Sequence, residues 1–331
     1  MKKTICLILA CLMIVSLAAC GGSATPSTGT AAAPSKIELR VAYADPETSV
    51  FGKGAAAFAE KLEELSGGTM TCTMYANGTM GSIPEVAAMI QQGTCDVSPI
   101  VTSSLVDFCP ELGVFDLPFL FKDYADARQV INGEAGEYLA GKMEEANMHV
   151  ASWMTMGFRE TTSSKPINSV ADFKGVKIRT QSNEVHQAIF NALGASATVI
   201  SFSELYTAME QKTVDAQENP YVNIANNAYY EVQDYLIETN HVFQLAALLV
   251  SSSTYNKLTD EQKAWVDEAA AYAADVEWEA TEGDNEAAKQ ACIDAGMNFT
   301  ALDHDELLAA TQSVYETYAD KYGDLLSKMG K

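Results

Sequence analysis

Ile37-Glu38-Leu39-Arg40-Val41-Ala42-Tyr43 alternates apolar and polar residues with a period of two, the mark of a half-buried strand. Gly52 to Leu65 then reads as a helix, with Ala56, Phe58, Ala59 and Leu62 available for its apolar face and Gly67-Gly68 to end it. Met70 to Tyr75 reads as a second strand, and Asn77-Gly78 turns the chain. Ile83-Pro84-Glu85 opens another helix, with Pro in the first turn, where its missing N–H costs nothing. Gly93 closes that helix and Cys95-Asp96-Val97-Ser98 begins a third strand. This βαβαβ order predicts an α/β fold with a mostly parallel sheet.

The alternation returns further along. Val150 to Met154 and Val176 to Arg179 read as strands, and Val185 to Leu193 as a helix ended by Gly194. Ser201-Phe202-Ser203-Glu204 is a capping-box pattern for a helix carrying Leu205, Ala208 and Met209 on one face. A long acidic, Ala-rich helix runs from Thr259 to about Ala291, with a second capping box at Thr259 and Gln262. Two α/β units in one chain predict two lobes with a cleft between them.

Upstream of the first strand, Gly21 to Ser35 is rich in Gly, Ser, Thr, Ala and Pro and carries no charge. It reads as a flexible tether of roughly 20 Å reach. Before it, Lys2 and Lys3 precede an apolar run from Ile5 to Leu17, the n- and h-regions of a secretory signal. The run is too short to span a bilayer comfortably as a helix. Leu17-Ala18-Ala19-Cys20 matches a bacterial lipobox, so Cys20 is the expected lipidation site and the new N-terminus. Residues 1–19 are then the lipoprotein signal peptide and 20–35 the tether. The expected location is the extracytoplasmic face of the cell membrane, held by diacylglycerol and palmitate chains.

The 331 residues carry 21 Lys and Arg against 44 Asp and Glu, a net charge of −23. Such a chain has no electrostatic reason to hold nucleic acid or an anionic lipid surface. Seven Cys are present; Cys6 and Cys11 leave with the signal, and Cys72, Cys95, Cys109 and Cys292 remain in the folded part. They form no C-x-x-C and have no His at ligand spacing, which argues against zinc. Two disulfides and four buried thiols are both compatible with this pattern. His149, His186, His241 and His304 are dispersed, and no Gly-x-Ser-x-Gly elbow occurs in the folded part. Gly52-x-Gly54-x-x-Ala57 lacks the tight strand-to-helix turn of a dinucleotide site. With no nucleophile–base pair and no metal or cofactor set, a binding protein is expected rather than an enzyme.

Arginine is scarce: Arg40, Arg128, Arg159 and Arg179, against 17 Lys. Arg179 ends Val176-Lys177-Ile178-Arg179, at a strand's carboxyl end, where open α/β sheets bind ligands. Arg159 follows an apolar approach through Trp153, Met154, Met156, Gly157 and Phe158. A guanidinium in such a setting needs an anion, and its fork suits a carboxylate; structural salt bridges are the competing explanation. Asn219 precedes Pro220, which holds it extended, and its amide can donate to an anion and accept from a hydroxyl.

The ordered segments Asn77-Gly78-Thr79-Met80-Gly81, Asp116-Leu117-Pro118-Phe119-Leu120-Phe121, Gly157-Phe158-Arg159, Lys174-Gly175-Val176-Lys177-Ile178-Arg179, Ser203 to Met209 and Asp215-Ala216-Gln217-Glu218-Asn219-Pro220 resemble the substrate-binding proteins of tripartite ATP-independent periplasmic (TRAP) transporters. The resemblance runs from about Ile37 to the C-terminus. It implies a two-lobed periplasmic-binding-protein fold of type II, with interdomain crossovers and a long C-terminal helix. Residues 36–156 and 245–284 would form lobe I, and 157–244 and 285–331 lobe II. The ligand would be a small organic acid of the C4-dicarboxylate, uronate, sugar-acid or sialate class. Arg179 would be the main clamp on its carboxylate, joined by Arg159 and Asn219, with Phe202 packing beside it and Gln244 at the far wall. Asp45, Glu47 or Ser103 would meet hydroxyls. The implied partners are the small and large membrane subunits of a TRAP importer, served by a monomer. A solute receptor for another transporter class and an exported enzyme are the alternatives.

Overall fold

The computed structural model describes residues 36–331. The signal sequence, the tether and Cys20 lie outside the described residues. The chain runs β1 (Ile37–Ala42), α1 (Val50–Leu65), β2 (Met70–Tyr75), α2 (Ile83–Gln92), β3 (Val97–Val101), α3 (Tyr124–Ile131), α4 (Glu134–Glu145), β4 (Met148–Ser163), β5 (Lys177–Thr180), α5 (Glu184–Ala192), β6 (Ser196–Val199), α6 (Leu205–Glu210), β7 (Ala216–Pro220), α7 (Tyr221–Asn226), β8 (Tyr235–Glu238), β9 (Phe243–Ser251), α8 (Ser252–Tyr255), α9 (Asp260–Asp294), β10 (Asn298–Ala301) and α10 (His304–Lys328). Local chemistry sets many of these bounds. Ser49 Oγ accepts from Gly52 N at 3.0 Å to start α1, and Thr259 and Gln262 cap α9 reciprocally. Gly93, at φ 75°, ends α2 in the left-handed conformation that glycine adopts without strain.

The strand order is β2-β1-β3-β9-β4-β7-β5-β6, with β8 pairing to β4 and β10 to β8. β1 runs parallel to β2 and β3, and β5 parallel to β6 and β7. The sheet is nevertheless mixed rather than mostly parallel. β9 enters antiparallel between β3 and β4, and β4 is antiparallel to β7 and β8 as well. The expected capping box at Ser201 is also replaced. A 3-10 turn occupies Phe202–Glu204, the Ser201 hydroxyl meets Ser203 Oγ at 3.0 Å, and α6 begins only at Leu205.

β4 positions the site. Its first part pairs with β9 as far as Phe158, and its last part, from Arg159 to Ser163, pairs with β7. The change of partner follows a bulge between Thr155 and Gly157. Gly157 has φ 82°, and a Cβ there would lie 2.1 Å from Tyr124 Oη, so only glycine fits. The 35-residue helix α9 braces this bulge with one polar face. Glu277 Oε2 accepts from Thr155 N at 3.1 Å, Thr281 Oγ1 lies 3.3 Å from Thr155 O, and Asn285 Nδ2 donates to Met156 O at 3.0 Å. Spacing of four residues places these three side chains on one face of the helix. Cys95, Cys109 and Cys292 are buried, Cys72 is partly buried, and all are free thiols.

Candidate functional site

A cavity of about 1000 Å³ opens among the loops that follow β1, β3 and β6, the bulged part of β4, the ends of β5 and β7, and α7. Arg179, Arg159, Asn219 and Phe202 all line it. Arg179 is 2% exposed, and among the described residues its guanidinium makes one hydrogen bond, from Nε to Ile200 O at 2.9 Å. No described carboxylate forms an ion pair with it; the buried ion pair in the cavity wall belongs to Arg159. Burial lowers its pKa to about 10, against the opposing pull of Glu218 and Tyr229. A buried cation whose Nη atoms have no protein partner is suited to an anion, because its desolvation is otherwise uncompensated.

Arg159 is in a different state. Its Nε meets the Glu218 carboxylate, Nη1 donates to Gln244 Oε1 at 2.6 Å, and Nη2 donates to Glu218 O at 2.6 Å and Asn219 Oδ1 at 3.2 Å. Its charge is already matched. Asn219 Nδ2 donates to Gln217 Oε1 at 2.6 Å, and its second amide proton has no partner among the described residues.

The remaining residues named from the sequence take other places. Gln244 is fully buried outside the cavity lining; its Oε1 also accepts from Gln181 Nε2 at 3.2 Å, and its Nε2 donates to Ser103 Oγ at 2.8 Å. Ser103 is likewise fully buried and donates to Asp116. Glu47 is exposed and outside the lining, whereas Asp45 and Pro46 line the cavity. Burial raises the Asp45 carboxyl to about 6.

Behind Arg159 lies a buried polar cluster that no local motif announces. Glu218 Oε1 is 3.4 Å from His186 Nδ1, and Glu218 Oε2 is 3.3 Å from His241 Nε2. His186 Nε2 is 3.1 Å from Asp116 Oδ1. Burial would raise the Glu218 pKa, but Arg159 and the two histidines hold it well below the usual range. Burial opposes charge on His186 too, yet Glu218 and Asp116 together raise its pKa; burial lowers that of His241. The histidines are 32 and 23 residues from Glu218 in sequence, far beyond any spacing rule. Tyr229, Asn223 and Gln181 also line the cavity without having been singled out from the sequence.

The cavity is thus built around one uncommitted guanidinium, on a mixed sheet braced by a long helix. The chain belongs to the bacterial extracellular solute-binding proteins of family 7, whose model matches residues 41–322. It is 32% identical over 269 residues to the C4-dicarboxylate-binding periplasmic protein DctP of Rhodobacter capsulatus, covering 80% of this chain and 79% of that one. It is 30% identical over 241 residues to the 2,3-diketo-L-gulonate-binding periplasmic protein YiaO of Escherichia coli strain K12, covering 72% of this chain and 73% of that one. A TRAP periplasmic solute-binding protein from Polaromonas sp. JS666, bound to D-erythronate, superposes with a TM-score of 0.86 at 31% identity, covering 89% of this chain and 98% of that one. The family consists of extracytoplasmic receptors rather than enzymes. No helix among the described residues is long and apolar enough to cross a membrane.

Proposed function

We propose that this protein captures a small organic acid by clamping its carboxylate on Arg179 and delivers it to the membrane subunits of a TRAP importer. The observation that carries the reading is Arg179 itself, buried in the cavity with two terminal nitrogens uncommitted. Arg159, through the one Nη1 proton its protein partners leave free, and Asn219 complete the grip, and Phe202 packs against the ligand's carbon skeleton. Residues 36–156 with 245–284 and residues 157–244 with 285–331 act as two lobes that close over the acid. Closure excludes water and strengthens each charge contact. Ligands named for the relatives above, C4-dicarboxylates, 2,3-diketo-L-gulonate and D-erythronate, are all small acids, which supports this class. Lipidation of Cys20 would hold the receptor, as a monomer, beside its importer.

Calorimetric titration with a panel of small acids tests the clamp. Arg179→Ala should reduce affinity by at least about 2–3 kcal/mol, because the bound carboxylate loses its partner in a dry site. Arg179→Lys should also lose much of it, since a point charge cannot replace the planar fork. Wild-type affinity in either variant would refute the assignment.

A further inference from the structure

We propose that the cavity selects hydroxylated monocarboxylic acids, and that Asp45 turns away acids with a second carboxylate. This rests on the acid-binding reading above and narrows it. The cationic residues of the lining are Arg159 and Arg179. Arg159 is committed to Glu218, Gln244 and Asn219, so one uncommitted cation remains. The lining also holds three carboxylates, Asp45, Glu85 and Asp107. Glu85 and Asp107 are exposed, and the Glu85 carboxylate is occupied by the Ser82 N–H and hydroxyl, each at 2.7 Å. Water screens both. Asp45 differs: it is 6% exposed, and its carboxylate takes no hydrogen bond from the side chain or backbone of any other described residue.

Arg179 and Asp45 face a shared space: both line the same cavity, as does the buried Tyr229. One ligand carboxylate satisfies Arg179. A second would meet the charge of Asp45, which is largely withdrawn from water, with no cation left to balance it, and like charges brought together in a poorly hydrated site are strongly penalised. A hydroxyl in the same place would donate to Asp45 and supply the hydrogen bond it lacks. The neighbouring Gln181, Tyr206, Asn223 and Asn227 are neutral groups that both donate and accept, which suits hydroxyls along a chain.

Calorimetry at neutral pH with galactonate, erythronate, succinate, malate and the uncharged galactitol tests the proposal on the purified protein. The expected result is a hydroxylated monoacid binding at least tenfold tighter than either diacid. Asp45→Asn should shrink that gap at least fivefold by improving diacid binding, while the thermal midpoint without ligand stays the same or rises. A diacid binding as tightly as the monoacids overturns the selection proposal and leaves the Arg179 clamp standing. An Asp45→Asn variant with an unchanged gap overturns the role of Asp45. Galactitol binding with no acid bound overturns the acid-binding reading, and the selection proposal with it; so does silence from the whole panel.

Discussion

Glu218 grips Arg159 twice: its carboxylate meets Nε, and its own carbonyl oxygen accepts from Nη2 at 2.6 Å. The arginine is 3% exposed and the glutamate fully buried, so each charge depends on the other. The same carboxylate also faces His186 and His241.

Removing one member of this pair should therefore destabilise the fold more than removing both. Glu218→Gln keeps the shape but leaves a buried guanidinium uncompensated, which costs about 3–5 kcal/mol. Urea unfolding followed by circular dichroism measures this. The double variant Glu218→Leu with Arg159→Met should recover part of the loss, because it takes both charges out together. A loss below about 1 kcal/mol for Glu218→Gln would mean that water reaches the pair and screens it.

Glu277 should make the protein less stable as pH rises. Burial lifts its pKa to about 8, against hydrogen bonds from Thr155 and Thr281 that favour the ion. The neutral acid completes a closed ring: Thr155 N donates to Oε2, the acid proton goes to Thr281 Oγ1, and Thr281 donates to Thr155 O. Between pH 4.5 and 8 the native state holds this proton and the unfolded state has released it. Stability from this group is therefore fully present below pH 4.5 and lost as pH rises through 8. Glu160, raised by burial to about 8, adds to the same slope. Glu277→Gln cannot ionise and keeps an acceptor for Thr155. Its melting temperature relative to wild type should climb steadily from pH 5 to pH 8. Parallel curves would show that Glu277 ionises without penalty in the folded protein.

The first βαβαβ unit was legible because its signals are local. Alternation marks β1, Asn77-Gly78 makes the turn, and Gly93 stops α2. β9 was not legible. Its nine residues are all buried and mostly apolar, so no alternation distinguishes it from a core helix, and its pairing of Val97 with Val250 spans half the chain. Arg179, Arg159 and Asn219, which line the cavity, could be singled out because a strand end, an apolar run before a charge and a Pro-flanked position are local features; Phe202, also in the lining, was pointed to only by the family resemblance. Asp45 and Glu47 are two residues apart on one loop, and only the folded loop decides that the first turns inward. Tyr229 and Asn223 reach the cavity from a segment with no distinguishing pattern.

Gln244 acts from behind the cavity wall, and its loss should be felt in both stability and binding. Its Oε1 accepts from Arg159 Nη1 and from Gln181 Nε2, a residue of the lining. Its Nε2 donates to Ser103 Oγ, whose hydroxyl donates in turn to Asp116. One amide thus fixes two cavity groups against the buried cluster. Gln244→Leu fills a similar volume but strands those donors, at a cost of about 1–3 kcal/mol of folding stability. Ligand affinity should fall as well, by less than in Arg179→Ala, because Arg159 keeps Glu218 and Gln181 merely loses its orientation. Urea unfolding and calorimetry on the same preparation separate the two effects. If both came out unchanged, Glu218 and its main-chain carbonyl would suffice to hold Arg159 in place, and the amide would be a filler of space rather than a positioning group.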